Sequence, residues 1–228
     1  MKNNILVVAA HPDDEILGCG GSMAKWKKKG HRVHVLILAE GLTSRAKIRD
    51  RNKHTKELKN LSLAAHKAAE IIGVDSIKLL DYPDNRMDSV DLLGIVKTVE
   101  NVVDKIKPNI VITHHSGDLN IDHRIVHQAV LTASRPQPGC SIKSILSFEV
   151  PSGTEWQSPV IGQTFIPNWF EDITETKEIK IAALNEYSSE MREWPHARSL
   201  KAVESLIKWR GASVGYEAAE AFMLIRKL

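Results

Sequence analysis

One imidazole and three carboxyl groups lie within five consecutive residues near the start of the 228-residue chain, in His11-Pro12-Asp13-Asp14-Glu15. Like charges held this close raise one another's pKa, so the carboxylates would repel one another strongly without a cation among them. A divalent metal ion would resolve that conflict. Catalytic zinc sites usually take three protein ligands from His and carboxylate side chains and leave the fourth position to water. The segment predicts a metal site to which His11 and one aspartate contribute.

The third ligand is expected from a second polar segment, His114 to His123, which follows another predicted strand. His123 is the favoured candidate, because Asp122 and His123 open a predicted helix that Asp122 could cap while fixing the approach of the imidazole. His114 and His115 remain alternatives. Taken alone, a histidine after a strand is usually only hydrogen-bonded, and acidic residues at a helix start often only interact with its dipole. Two such clusters at strand ends favour a shared metal site.

Alternating strands and helices are predicted to position both segments. The apolar, largely β-branched run Ile5 to Ala10 predicts a buried parallel strand that ends at His11. Further strands are predicted at 33–38, 77–80 and 109–113, and helices at 22–29, 56–72, 90–106 and 124–133. This alternation predicts an open, doubly wound α/β sheet, and ligands bind such sheets at the carboxyl ends of the strands.

The alternation loosens after Pro151, where a stretch containing Pro, Ser and Trp precedes a helix near 177–192 and a last segment, 200–228. We interpret this part as a cap or continuation of the same domain, so that residues 1–228 form one domain. Nine of the twelve aromatic residues follow position 150. Sugars can stack on such rings, although core packing is the commoner role for Trp156, Trp169, Trp194 and Trp209.

The bulk composition excludes several classes of protein. Hydrophobic residues make up 43% and charged residues 26%, as in an ordinary globular protein. The formal net charge of +3 permits a small anionic ligand but is too small to indicate nucleic-acid binding. Cys19 and Cys140 have no metal-ligand spacing, and no signal peptide or membrane-spanning segment is indicated. A cytoplasmic protein without stable membrane insertion is expected.

The segment Ala10-His11-Pro12-Asp13-Asp14-Glu15, followed by Gly18, resembles the signature of the PIG-L/LmbE-like zinc-dependent de-N-acetylases. The resemblance continues in the strand at 108–113, in Asp122-His123 and in Ala219-Glu220-Ala221-Phe222. It implies a Rossmann-like fold, Zn²⁺ held by His11, Asp14 and His123, and Asp13 as general base. Because zinc lowers the pKa of its bound water toward about 7, hydroxide could attack an acetamide carbonyl at neutral pH.

The chain departs from this family at Asn120, where many members carry a histidine three residues before the last zinc ligand. An amide can donate a hydrogen bond to an oxyanion but cannot act as a general acid. The proton for the leaving amine must then come from another group. Asp13, after accepting a proton from water, is the simplest donor, and Asp118 and His196 are the other candidates.

Basic residues suggest contacts to the substrate. The stretch between positions 42 and 60 contains seven Lys and Arg residues and only two acidic residues, Asp50 and Glu57. Arg45 in this segment could bind a diphosphate through charge-assisted hydrogen bonds, with a solvated helix face as the alternative. Arg86, after the third predicted strand, and Arg198, close to His196 in sequence, are further candidates for substrate binding.

The combined expectation is a zinc-dependent hydrolase that removes the N-acetyl group from an amino sugar, with a nucleotide sugar or another glycan precursor as the favoured substrate. One alternative is an amidase acting on a thiol conjugate or a peptide-like metabolite. A second is a noncatalytic sugar-binding subunit that has kept the fold. A small N-acetylated sugar is the expected partner, and assembly of identical subunits remains open.

Overall fold

The computed structural model describes residues 2–160 and 162–228, so Met1 and Ile161 of the predicted domain lie outside the described residues. The elements within these ranges are β1 (Asn4–Ala9), α1 (Asp14–Lys28), β2 (Arg32–Ala39), α2 (Thr55–Ile72), β3 (Ser76–Tyr82), α3 (Leu92–Ile106), β4 (Ile110–His114), α4 (Ile121–Ala133), β5 (Ser144–Phe148), β6 (Trp169–Asp172), α5 (Lys177–Glu186), α6 (Leu200–Ala212) and β7 (Ala219–Lys227). The strands form a single sheet in the order β3-β2-β1-β4-β5-β7-β6.

Strands β1 to β5 run parallel, and β7 pairs antiparallel with both β5 and β6. The predicted class is confirmed as an α/β fold whose mostly parallel sheet is flanked by helices. Because parallel strands end at the same edge, the residues that follow β1 and β4 are brought together. Within the described residues, no helix is long and apolar enough to cross a membrane.

Strand β1, which lies between β2 and β4, is buried on both faces, as its continuous apolar sequence predicted. Ile5, Val7 and Ala9 belong to a core that includes residues of α1, α2 and α5. The intervening residues Leu6 and Val8 belong to a second core, which includes residues of α3 and α4. Burial on both faces explains why β1 lacks the alternation of apolar and polar residues seen in half-exposed strands.

Helix α1 begins at Asp14, eight residues earlier than predicted. The glycine-rich stretch 18–21 hid its first turns, because glycine weakens helices when only local preferences count. Tertiary packing requires a small residue there, since a Cβ atom on Gly18 would lie 2.3 Å from Cδ2 of Phe148. The helix is kinked at Cys19, whose φ and ψ are −150° and 24°.

The C-terminal part continues the sheet as well as covering it. Strand β7 inserts between β5 and β6, and helix α5 packs against α1 and α2. The sequence analysis did not predict β5, β6 or β7 as separate strands, and the helix expected near 177–192 ends at Glu186. Short half-buried strands such as β6 carry little hydrophobic periodicity, so their pairing depends on the sheet that is already present.

Candidate metal centre and active site

His11, Asp14 and His123 meet at the carboxyl edge of the parallel strands. Each offers one ligand atom, and these atoms lie within 4.8 Å of one another. Oδ2 of Asp14 is 3.2 Å from Nδ1 of His11 and 3.2 Å from Nε2 of His123. All three side chains are buried. The structure brings together the three residues that the sequence analysis selected as ligands, from the loop after β1 and the start of α4.

These three residues fit a divalent cation. Oδ1 of Asp14 and both ring nitrogens of His123 are buried, and the protein supplies them with no hydrogen-bond partner of acceptable geometry. A buried polar atom without a partner costs about 1–3 kcal/mol, so such atoms need another role. Two imidazoles and one carboxylate form a donor set that suits Zn²⁺ and related divalent ions. A bound ion would give the Asp14 carboxylate and Nε2 of His123 the partner that the protein does not, while Nδ1 of His123 faces the Asp118 carboxylate at 3.1 Å.

His11 also belongs to a second cluster, with Asp84 and Asp122. Its Nε2 lies 2.9 Å from Oδ2 of Asp122 and 3.3 Å from Oδ1 of Asp84. The carboxylate of Asp122 is already occupied, because it accepts backbone N–H groups of Asn85 at 2.7 Å and Met87 at 3.0 Å. Asp122 is therefore suited to orient the His11 ring, whose Nδ1 faces Asp14.

Asn120, and not Asp122, caps helix α4. Its Oδ1 accepts the backbone N–H of Asp122 at 2.9 Å, while its Nδ2 donates to Oδ1 of Asn85 at 2.8 Å. The expected cap at Asp122 is corrected by the start of the helix, which lies at Ile121. Asp122 falls in the first turn, with its side chain directed to His11. The amide of Asn120 thus links the loop before α4 to the loop after β3. Both loops lie beside the three proposed metal ligands His11, Asp14 and His123, which we call the metal cluster.

Asp13 has an unusual backbone and a buried carboxyl group. Its φ is 108°, in a region that residues other than glycine rarely adopt. Oδ2 accepts a hydrogen bond from Nη1 of Arg198 at 2.9 Å, whereas Oδ1 has no partner among the described residues. Burial raises the pKa of Asp13 to about 7, although the nearby Arg198 opposes this rise. Its carboxylate is suited to accept a proton near neutral pH.

Asp118 lies behind His123. Its Oδ1 is 3.1 Å from Nδ1 of His123 and accepts the backbone N–H of Asn120 at 2.8 Å. Its Oδ2 accepts the hydroxyl proton of Thr154 at 2.7 Å. With both oxygens occupied and 0% exposure, Asp118 is placed to support His123 rather than to reach a substrate.

The two rival histidines have other partners. Nε2 of His114 accepts the backbone N–H of Ala10 at 2.8 Å, and its ring stacks on His123 with centroids 3.9 Å apart. Burial and the neighbouring His123 hold the pKa of His114 well below its ordinary value. His115 contacts the carbonyl oxygen of Gln163 through Nε2 at 2.8 Å. His114 is therefore a packing partner of a proposed ligand.

His196 lies at the rim of the site. Its Nδ1 accepts the backbone N–H of Arg198 at 3.0 Å, so the neutral ring carries its proton on Nε2. The ring also makes an edge contact with Trp156, with centroids 5.6 Å apart. Arg198 connects this rim to Asp13 and donates from Nε to Oγ of Ser152 at 2.7 Å.

The other two predicted substrate contacts have protein partners. Nη2 of Arg45 donates to Oε2 of the buried Glu190 at 2.6 Å. Nη2 of Arg86 donates to the carbonyl oxygens of Ala46 and Lys47 at 3.1 and 3.2 Å. Arg86 thus holds the segment after β2, and neither arginine is directed to the metal cluster by these contacts.

Sequence reasoning missed Tyr187. Its hydroxyl donates to Oε1 of Glu15 at 2.6 Å, and Oε2 of Glu15 accepts the backbone N–H of Asp13 at 3.1 Å. Glu15 was recognised as part of the acidic cluster, but no separate role was assigned to it. Tyr187 lies 172 positions away in the sequence, and no local motif links the two residues.

Comparison with known proteins agrees with this arrangement. The family model described as "PIG-L: GlcNAc-PI de-N-acetylase" matches residues 6–134. The chain is 29% identical to the uncharacterized deacetylase YaiS of Escherichia coli K12, over 82% of this chain and 92% of that protein. It is 27% identical to the diacetylchitobiose deacetylase of Thermococcus kodakarensis, over 83% of this chain and 70% of that protein.

The fold is shared with a protein of different activity. The crystal structure of GalB, the 4-carboxy-2-hydroxymuconate hydratase of Pseudomonas putida KT2440, superposes with a TM-score of 0.79 and 23% identity, covering 100% of this chain and 98% of that one. Such a likeness establishes the fold alone. The family match spans the loop after β1, the start of helix α1 and helix α4, which carry His11, Asp14 and His123 respectively. The chain belongs to the PIG-L family.

Proposed function

We propose that this protein is a metal-dependent hydrolase that removes the acetyl group from an N-acetylated amino sugar. The observation that carries the proposal is the position of Asp13, a buried carboxyl group next to a three-residue ligand set in which Asp14 and His123 retain unpartnered atoms. Deacetylases among the relatives support hydrolysis of an N-acetyl group. Loss of catalysis is disfavoured because His11, Asp13, Asp14 and His123 are all present.

His11, Asp14 and His123 would hold the ion, and Zn²⁺ is the proposed metal. When bound, Zn²⁺ lowers the pKa of a coordinated water to about 7 and polarises a carbonyl oxygen. Asp122 orients His11 through its 2.9 Å contact with Nε2, and Asp118 supports His123 from behind. Both contacts would fix the directions of the ligand rings before an ion binds.

Asp13 is the proposed general base. It would accept a proton from the water that attacks the acetamide carbon, while Arg198 holds the other oxygen of its carboxyl group. The protonated Asp13 would then return this proton to the sugar nitrogen as the C–N bond breaks, which releases acetate and a free amine. Asn120 cannot supply this proton because its side chain is an amide. His196 is the other candidate donor, but a histidine acts as a general acid only as an imidazolium, and Nδ1 of His196 accepts the backbone N–H of Arg198, so Asp13 is favoured.

The ion pairs of the basic segment favour an uncharged sugar over a diphosphate-linked one. Arg45 pairs with Glu190, Arg49 donates to both oxygens of Glu40 at 2.8 and 3.1 Å, and Arg51 donates to Oδ2 of Asp81 at 2.6 Å. A phosphate group would have to compete with these carboxylates for the arginines. We therefore propose a neutral N-acetylated glycoside or short oligosaccharide as substrate, in place of the nucleotide sugar first favoured.

Trp156 is the proposed stacking surface for this sugar. Its side chain is exposed, with 53% of the residue surface accessible, and it contacts His196 at the rim. The turn that carries it is tied to the site, because Thr154 donates to Asp118 and Ser152 accepts from Arg198. An aromatic ring held there could pack against the apolar face of a sugar. The cytoplasmic location and assembly of identical subunits stay predictions.

Acetate release from a panel of substrates tests the proposal. The zinc-loaded protein is incubated with N-acetylglucosamine, di-N-acetylchitobiose and UDP-N-acetylglucosamine, before and after removal of the metal with a chelator. We expect turnover of a neutral sugar that disappears with the metal. Asp13→Asn should keep the metal and lose roughly 10²–10⁴-fold in rate, the range attributed to a general base. The proposal is overturned if the zinc-loaded protein releases acetate from none of them, or if it instead hydrates an unsaturated acid.

A further inference from the structure

We propose that Glu15 and Tyr187 are positioning residues that hold Asp13 in its positive-φ conformation and so direct its carboxyl group toward the reacting centre. This inference rests on the proposed function, because it assigns Asp13 the role of general base. It adds two residues that would act on catalysis through Asp13. Neither is a ligand of the proposed metal.

The backbone of Asp13 needs support from its surroundings. At a φ of 108° and a ψ of −31°, the residue lies outside the regions that side chains with a Cβ atom prefer. Such conformations persist only where neighbouring groups determine them, and they cluster at functional sites. The chain reverses here between β1 and α1, and a relaxed Asp13 would carry its carboxyl group elsewhere.

Glu15 supplies part of this support. Its Oε2 accepts the backbone N–H of Asp13 at 3.1 Å, which fixes the peptide group on the amino side of the residue. Its Oε1 accepts the hydroxyl proton of Tyr187 at 2.6 Å. With 1% of its surface exposed, Glu15 cannot contact a substrate in this conformation, although it lies within the acidic motif.

Tyr187 fixes Glu15 from the other end of the chain. It directly follows helix α5, is 0% exposed, and belongs to the hydrophobic core that contains residues of α1 and α2. Its ring is therefore immobilised by packing, while its hydroxyl reaches the acidic motif. Packing of the C-terminal half of the chain thereby fixes the position of Glu15 in the N-terminal acidic motif.

The carboxyl group of Asp13 is held separately. Arg198 donates to Oδ2 at 2.9 Å and is itself hydrogen-bonded to Ser152. Support at the backbone through Glu15 and at Oδ2 through Arg198 leaves Oδ1 without a protein partner. One oxygen is thus presented for proton transfer. Loosening the backbone support should impair proton transfer more than sugar binding, which is the effect expected of a positioning residue.

Tyr187→Phe tests this inference, because it removes the hydroxyl and keeps the ring. We expect kcat on the best neutral substrate to fall about tenfold, with KM changed less than twofold and zinc content equal to wild type; tenfold corresponds to about 1.4 kcal/mol. The matched control is Tyr82→Phe, which removes a hydroxyl that contacts Oγ1 of Thr98 at 2.7 Å on helix α3. This control should retain wild-type kcat.

A second variant and a second measurement separate positioning from general destabilisation. Glu15→Leu removes both acceptor oxygens at similar side-chain volume, so kcat should fall again while zinc binding is retained. Crystal structures of both variants should show Asp13 leaving its φ of 108°. The inference is overturned if either variant of an active enzyme keeps wild-type kcat, or if Asp13 is unchanged in both structures. Absence of turnover in the wild type would instead overturn the proposed function.

Discussion

Two buried clusters of charged side chains contact helix α1, and they differ in how their polar atoms are satisfied. At the metal cluster of His11, Asp14 and His123, Oδ1 of Asp14 and Nε2 of His123 have no hydrogen-bond partner of acceptable geometry among the described residues, while Nδ1 of His123 lies 3.1 Å from the Asp118 carboxylate. Asp14 is nevertheless 0% exposed. The protein keeps these atoms away from water without giving them partners of its own.

The other cluster in this comparison is the buried ion pair between Lys180 and Glu220. Nζ of Lys180 donates to Oε1 of Glu220 at 2.5 Å and to the carbonyl oxygen of Leu17 at 2.7 Å. Glu220 also accepts the backbone N–H groups of Gly21 at 3.0 Å and Ser22 at 2.7 Å. Both carboxylate oxygens and the ammonium group are therefore satisfied by the protein.

This difference distinguishes a candidate ligand-binding site from a structural ion pair. A buried polar atom without a partner costs free energy and needs a physical explanation, which a bound ion would supply at the metal cluster. A fully hydrogen-bonded ion pair needs no ligand, and the Lys180–Glu220 pair instead ties α5 and β7 to the kinked middle of α1. Composition does not distinguish the two clusters, because both consist of buried acidic and basic residues, whereas the pairing of their polar atoms does.

Asp14→Asn should produce the largest effect and would break the comparison if it did not. Loss of the anionic ligand should weaken Zn²⁺ binding by more than the roughly 100-fold that substitution of an orienting partner can cost. Asp122→Asn, the matched control, should weaken binding by about 10–100-fold. Competition with a chelator measures both affinities. Equal zinc binding by Asp14→Asn and wild type would show that these unpartnered atoms do not mark a metal site.

Lys180→Met should destabilise the fold without changing the metal site. Removing one member of a buried ion pair leaves an uncompensated charge and costs about 3–5 kcal/mol. Denaturant-induced unfolding measures this loss, and zinc affinity should stay within twofold of wild type. Lys177→Met on the same helix is the control, because its partner Glu217 is exposed and the stability change should be far smaller. A weaker zinc affinity at unchanged stability would reverse the assignment of this cluster.

Trp156→Ala should affect substrate binding alone. Loss of a stacking ring should raise KM for a neutral oligosaccharide about tenfold, equivalent to about 1.4 kcal/mol, with little change in kcat. Trp209→Ala is the control, since Trp209 is also exposed and lies on helix α6. Steady-state kinetics measure KM for both variants, and equal values would show that Trp156 does not contribute to substrate binding.

The smallest effect concerns Asp75, a partly exposed counterpart of the satisfied pair. Burial alone would raise the pKa of Asp75, but hydrogen bonds from Lys27 at 2.5 Å and from the backbone of Val33 at 2.7 Å lower it below its ordinary value of 3.8. Because the folded state prefers the ionised form, this stabilisation is present above pH 3.8 and is lost as the pH falls through the lowered value.

Asp75→Asn should therefore cost up to about 1 kcal/mol at pH 7, the usual range for such pairs, and less at pH 3. Urea-induced unfolding of wild type and variant at the two pH values gives the difference. A cost that stayed constant with pH would show that the charge of Asp75 contributes nothing to stability.

The sequence alone was enough to predict the fold class and to select three residues that the structure places together. His11 and Asp14 follow a run that is apolar at every position, and His123 lies in the first turn of the helix that follows another largely apolar strand. Parallel strands share their carboxyl edge, and the structure places β1 and β4 side by side, so the residues that follow these two strands meet. Local pattern and this rule predicted His11, one aspartate and a histidine of the second segment, with His123 favoured, whereas the choice of Asp14 came from the resemblance to the PIG-L/LmbE-like family.

Tertiary structure decided which residues support the active site. Arg198 reaches Asp13 across 185 positions, and Tyr187 reaches Glu15 across 172. Neither contact follows from spacing or composition, because each depends on how the C-terminal helices pack against α1. The basic segment 42–60 illustrates the same limit of sequence-based prediction. Its charge suggested a phosphate site, but the folded structure places Glu40, Asp81 and Glu190 beside its arginines. Charged residues can be counted from the sequence, but tertiary packing determines which of them form ion pairs.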